Sequence, residues 1–390
     1  MSIAKAIIDS GYEPDKTIRI CMHGSEEWGV SGSEYDWSTG AYEEIMTNHP
    51  EWAEGAFAIV NNDGAYAVEG ETFAGTRSAV ELMDFVKDSI GEFEDDTVYE
   101  WSFDKTSVYT EDFQWAREGI PAIVAGSGEG SKYDDMGYHS SYDSWDAQPL
   151  DENGFKDVIR AFGKITLDLD ALDVRPMNFT ARLQDFEDSL TDTDQFDTLL
   201  EDGYTAAAAL EEKMKTVEES GEKTEAVKLN KQTQEVYKTL QDYLLGLDFE
   251  PEAINKHELY QTNIDMLSQT INALEKGNIQ EAYDEYLWAI DWAWYDMYFD
   301  QETCDYLENQ LFENRKGTWG DGLVKYPHCD IDDVVISLGE KYDAENPDVS
   351  SEIEQLRTLR DIQQQYLDET YEEEKQGLQQ AIKLMNDYAK

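Results

Sequence analysis

The chain has 390 residues, more than one hydrophobic core comfortably holds, so it is expected to divide into two domains. Thirty Lys+Arg against 86 Asp+Glu leave a net charge of −56. Such a surface repels phosphate backbones and anionic lipid, which excludes nucleic acid as an expected partner. Hydrophobic residues make up 40% of the chain, with 10 Trp, 23 Tyr and 14 Phe, so there is apolar area for a packed interior despite the charge. The acid excess serves either solubility or adaptation to high salt. Cys21, Cys304 and Cys329 are too few and too scattered for a disulfide framework or a four-thiolate zinc site. No apolar run approaches the ~20 residues of a membrane-spanning helix.

In chain order, residues 1–11 carry Ile3, Ala4, Ile7 and Ile8 on one helical face, with no basic stretch and apolar core of the signal-peptide kind. The start reads as the middle of a domain. Thr17-Ile18-Arg19-Ile20-Cys21-Met22 is a β-prone run that stops at His23-Gly24-Ser25. A helical pattern over 34–47 leads to a second strand pattern, Ala56-Phe57-Ala58-Ile59-Val60, which ends at Asn61-Asn62-Asp63-Gly64. The spacing of Ala79, Leu82, Met83, Phe85 and Val86 predicts a helix over 76–90. A short helix over 112–118 and a strand at 120–125, with Pro121 near its start, follow. Alternating helices and strands predict an α/β fold with a mostly parallel sheet flanked by helices, over residues 1–170.

From residue 171 to 390 the pattern becomes charged amphipathic helix. The helices are predicted over 197–217, 225–244, 252–276, 279–312 and 351–388, after one over 153–172. Gly246, Pro251, Gly277 and Pro347 punctuate them. Helices of that length joined by short loops make an all-α bundle, and Trp288, Trp292, Trp294, Tyr295 and Tyr298 read as its core or as part of a subunit interface.

In open parallel sheets, ligands collect at the carboxyl ends of strands. Glu26-Glu27 follows the first strand pattern, Asp63 the second, and His139 lies in a loop after the 120–125 strand. Adjacent carboxylates are compatible with one buried site when a cation compensates them. One then coordinates while the other takes a proton from water beside the metal, a division of labour that suits Glu27 and Glu26.

Four ordered stretches, residues 23–33 (HGSEEWGVSGS), 59–63 (IVNND), Asp112-Phe113 with Gly119-Ile120-Pro121, and 138–143 (YHSSYD), resemble the co-catalytic zinc exopeptidases. Within that family they look most like the branch of glutamate carboxypeptidase II and the transferrin receptor. The resemblance covers roughly residues 1–170. It implies a hydrolase of terminal peptide bonds with two zinc ions, Glu26 as general base, and Glu27 and His139 on one zinc. Asp63 would sit on the other zinc, and Tyr138 would donate a hydrogen bond to the developing oxyanion. The expected partner is a peptide substrate. A weaker likeness at Leu172-Asp173-Val174-Arg175-Pro176-Met177 and the helices beyond implies a homodimer through residues 171–390. The family's remaining His and bridging Asp ligands belong upstream of the Glu-Glu pair and have no counterpart here. His23 does not replace them by position, so the expectation is an amino-terminally truncated chain of impaired activity. No arginine for an acidic substrate side chain follows Gly119-Ile120-Pro121. The alternative is a non-catalytic, transferrin-receptor-like binding or receptor module.

Overall fold

The computed structural model describes residues 2–26, 38–63, 73–91, 97–107, 110–125, 140–142, 144, 151–247, 253–291, 293, 299–300, 302–306 and 325–390. Helix α1 (Ser2–Ser10) rests Ile3 near Gly163 of α5 (Glu152–Ala171) and stops at Gly11, whose φ of 72° is the left-handed region glycine enters freely. Helix α2 (Thr39–Glu43) runs on into a π turn at Glu44–Asn48 and a 3-10 turn at Pro50–Glu54.

Four strands form one mixed sheet in the order β1-β4-β2-β3. Strand β1 (Ile59–Asn61) runs parallel to β4 (Ala122–Ala125), and β2 (Phe73–Ser78) parallel to β3 (Glu100–Lys105). An antiparallel β2–β4 pairing joins the two halves. The expected α/β architecture is present, with two of its three pairings parallel. Strand β4 is central and buried at all four residues, as an uninterrupted Ala-Ile-Val-Ala run requires. Helices α3 (Met83–Gly91), α4 (Asp112–Arg117) and α5 complete this part.

Two predicted elements differ. Among the described residues Thr17–Met22 has no ladder partner and lines a cleft instead, since a β-prone segment becomes a strand only where another edge lies about 4.8 Å away. The helix predicted over 76–90 begins only at Met83, since residues 73–78 are strand β2. Its buried positions are the small polar Thr76 and Ser78 beside Ala74, and Thr76 Oγ1 donates to the Val124 carbonyl at 2.7 Å. Small polar inward residues hide a strand from a hydrophobicity pattern.

The chain then becomes helical: α6 (Phe179–Ser189), α7 (Asp197–Ser220), α8 (Lys223–Leu244), α9 (Lys256–Glu275), α10 (Asp332–Lys341) and the 39-residue α11 (Ser350–Tyr388). A short hairpin, β5 (Leu245–Leu247) with β6 (Ala253–Asn255), separates α8 from α9. Asn178 caps α6 through Ala181 N, and Asn255 with Glu258 forms a capping box on α9. The single helix predicted over 279–312 breaks instead. A helical turn at Ile279–Glu281, a π turn at Ala282–Tyr286 and a 3-10 turn at Leu287–Ala289 end in extended Ile290. Trp288 packs against a core cluster, whereas Trp292, Trp294, Tyr295 and Tyr298 lie outside the described residues. No helix among the described residues is long and apolar enough to cross a membrane.

One continuous hydrophobic core runs from Leu82 and Ile123 through Phe162, Phe179 and Phe186 to Tyr237, Leu240 and Met385. A second cluster, from Leu267 to Leu356, lies farther along α9 and α11. Within the first core sits a polar chain. Arg182 Nη2 donates to Asn255 Oδ1 (2.8 Å), which fixes that amide so that its Nδ2 donates to Ser189 Oγ (3.0 Å). The Ser189 hydroxyl proton goes to the Phe186 carbonyl (2.7 Å), so Ser189 accepts from His257 Nε2 at 3.0 Å. His257 Nδ1 then faces both Glu374 oxygens at 3.0 Å, and the pair is fully buried. Burial pushes the Glu374 carboxyl above its ordinary range, against the pull of His257. Removing one member of such a pair strands the other in an apolar interior. Glu374→Ala is expected to lower stability by about 3 kcal/mol, read as a shifted urea midpoint with an unchanged slope.

Candidate active-site cleft

Strand β1 ends at Asn61, and Asn61, Asn62 and Asp63 at its carboxyl end line a cleft of about 810 Å³. Asp63 lines this cleft together with His23, Asn61, Glu111, Asp112 and Trp115. Asn61 Nδ2 donates to Glu111 Oε2 at 2.8 Å, which ties the end of β1 to the start of α4.

Residues 16–23, on the segment that leads to Glu26, also line the cleft. His23 lines the cleft, with Nε2 buried and without a hydrogen-bond partner among the described residues. Its ring stacks on Trp115 (6.0 Å, 23°), Trp115 on Trp52 (5.8 Å, 16°), and Trp52 on His49 (4.1 Å, 2°). The Arg19 guanidinium lies 4.1 Å from the centre of the Trp52 ring. Glu26 stands three residues beyond His23, and its carbonyl accepts the Ser38 amide at 2.5 Å. Ser25 (φ 59°) and Ser38 (φ 61°) both hold left-handed backbone conformations at this crossing. Gly40 has to be glycine here, because a Cβ would stand 1.9 Å from the Gly24 carbonyl oxygen.

Of the residues expected from sequence, the structure therefore describes Glu26 and Asp63. Glu27, Tyr138 and His139 lie outside the described residues. Among the described residues, no three His, Cys, Asp or Glu side chains are grouped to hold a metal. The expected set of two carboxylates and one imidazole is nevertheless the donor chemistry that zinc takes.

Two cleft residues escaped the sequence reading of chemistry. His23, assigned no ligand role from sequence, lines the cleft, and Asp112 is 0% exposed. Burial raises the Asp112 carboxyl to about 7, and the Thr110 hydroxyl opposes the shift without closing a hydrogen bond of ordinary geometry. An acid at the start of a short helix is the signal for Asp112, but a chain with 86 acids dilutes it.

A family model described as Peptidase family M28 matches residues 1–165. Over those residues the chain is similar to that family. M28 proteins are zinc-dependent peptidases, and the similarity supports a metallopeptidase reading of this stretch. The match ends inside α5 and takes in the residues that line the cleft apart from Thr166, Leu169 and Asp170. A search of curated proteins gave no match to the chain.

The raised Asp112 carboxyl makes stability depend on pH. Its native value of about 7 exceeds the ordinary 3.8, so its contribution is complete below about pH 4 and is lost as pH climbs to about 7. Asp112→Asn stays neutral throughout. The variant is expected to gain on the parent across that window by up to about 1.4 kcal/mol per pH unit. Urea midpoints of both chains from about pH 4 to about pH 8 check this, and a constant difference would contradict it.

Proposed function

We propose that the protein is a zinc-dependent exopeptidase that removes terminal residues from peptides. The M28 match over residues 1–165 carries this reading, and the placement of Asp63 in the cleft supports it. In this reading Glu27 and His139 hold one zinc and Asp63 the second. Zinc, when bound, polarises the scissile carbonyl and makes water acidic near neutral pH. Glu26 takes the proton from the attacking water and hands it to the leaving amine. The Tyr138 phenol donates to the oxyanion that develops on the carbonyl. Trp52 and Trp115 give the bound peptide an apolar wall, with Arg19 beside it. Residues 171–390 serve in dimerisation in the same reading.

Glu26→Gln tests the base. Hydrolysis of aminoacyl-nitroanilides or dipeptides is expected to fall about a thousand-fold while zinc content by elemental analysis stays unchanged. An active variant would take Glu26 out of that role. Asp63→Ala is expected to lose about one zinc per chain. A parent chain that neither holds zinc nor hydrolyses these substrates would favour a non-catalytic, transferrin-receptor-like module. Light scattering should give twice the chain mass for the full-length protein, and a single-chain mass would remove the dimer.

A further inference from the structure

Residues just beyond the M28 stretch bond to two segments that line the cleft. Asp170, near the end of α5 and 3% exposed, accepts hydrogen bonds from the Tyr12 hydroxyl (2.8 Å) and from the backbone amides of Asp15 (3.0 Å) and Lys16 (2.8 Å). The Lys16 ammonium returns to the carbonyls of Asp170 (2.7 Å) and Leu172. Five residues on, the buried Arg175 donates Nε to the Phe57 carbonyl (2.7 Å), Nη2 to the Ala56 carbonyl (2.8 Å) and Nη1 to the Asn230 carbonyl (3.4 Å). Asn230 of α8 holds the Arg175 amide at 2.8 Å, and Gln234 of the same helix donates to the Ala53 carbonyl. The Phe57 ring joins the two anchors, with Lys16 Nζ 4.6 Å and the Arg175 guanidinium 5.6 Å from its centre.

Each anchor grips the root of one wall. Tyr12–Lys16 begins the extended segment that reaches His23 and Glu26. Ala56–Phe57 begins the approach to β1, whose first ladder residue is Ile59 and which reaches Asp63. We propose that the turn Asp170–Arg175 is a clamp that fixes the separation of these two segments, with Asp170 and Arg175 as positioning residues for Glu26 and Asp63. The proposal rests on the reading of Glu26 and Asp63 as active-site residues.

Packing alone does not call for this chemistry. A site that needed only volume at position 175 would be served as well by an apolar side chain, since replacing buried charge with well-packed hydrophobic surface is often neutral or stabilising. A guanidinium, in contrast, aims planar donors at particular carbonyls and so sets where Ala56 and Phe57 lie. A carboxylate that accepts two consecutive amides sets Asp15 and Lys16 in the same way. Catalytic groups drawn from two separate segments depend on such distances, because small misplacements carry large penalties in rate and metal affinity.

The test uses the full-length chain with Asp170→Asn, Arg175→Met, Arg175→Lys and Lys16→Met. Amide hydrogen exchange is followed by mass spectrometry, and zinc alone is titrated. Asp170→Asn and Lys16→Met should speed exchange at Asp15 and Lys16 about ten-fold, and Arg175→Met should do so over Ile59–Asn61, with α8 and α11 unaffected. Arg175→Lys should recover part of the protection, and zinc affinity should fall about ten-fold in Asp170→Asn and Arg175→Met. Unchanged local exchange, or a rise spread evenly over α8 and α11, would overturn the clamp. If a variant at 170 or 175 fails to fold, Lys16→Met decides by the same two criteria. A parent chain that takes up no zinc would defeat the active-site reading, and the exchange pattern would still judge the clamp.

Discussion

Arg175 is a cation in the interior whose guanidinium, among the described residues, donates to the backbone carbonyls of residues 56, 57 and 230. Desolvation pulls its pKa down to about 10, so it stays charged at neutral pH, and the carbonyl dipoles stand in for the water it has lost. Much of the architecture follows from keeping those donors satisfied. The approach to β1 must pass Arg175 with two carbonyls turned toward it, and α8 must present Asn230 at the same point. The family-matched stretch and the helices beyond it are therefore registered against each other by directional bonds as well as by a shared core.

The same tension between charge and burial recurs. A chain of net charge −56 spends most of its acids on solvated surface, yet Glu81, Asp112 and Glu374 are buried. Desolvation raises Glu81 and Asp112 to about 7, and it outweighs Arg182, whose Nε stands 3.9 Å from Glu81. Glu374 is the contrasting case, because His257 faces it squarely and gives the carboxylate a partner. Tyr237 lies in the field of Glu81 and Asp112 and is itself fully buried, so the seam between sheet and helices carries polar groups inside an apolar core. Such seams fix relative placement better than they add stability.

Much of the organisation was legible in the sequence. The change from alternating elements to amphipathic helices, the helices over 197–217, 225–244 and 351–388, and the buried strand at 122–125 all follow from periodicity, which depends only on local geometry. Strands β2 and β3 were not legible, because Thr76, Ser78 and Trp101 bury one face without an apolar alternation that stands out. The 17–22 run differs in the other direction: its residues suit a strand, but a strand is a property of two segments, and among the described residues none pairs with it.

For the candidate site, the ordered motifs named Glu26 and Asp63, and the M28 match agrees with the family those motifs resemble. Motifs of that kind are short and contiguous, so a sequence displays them directly. The cleft-facing imidazole of His23, the buried Asp112 and the joint grip of Asp170 and Arg175 involve partners between about 50 and 160 positions away. The amino-acid order by itself determined which residues are equipped for metal chemistry and which stretches repeat with a helical period. Only the tertiary structure decided which acids lose their water and which carbonyls meet a cation, because desolvation and hydrogen-bond direction exist only once distant segments have come together.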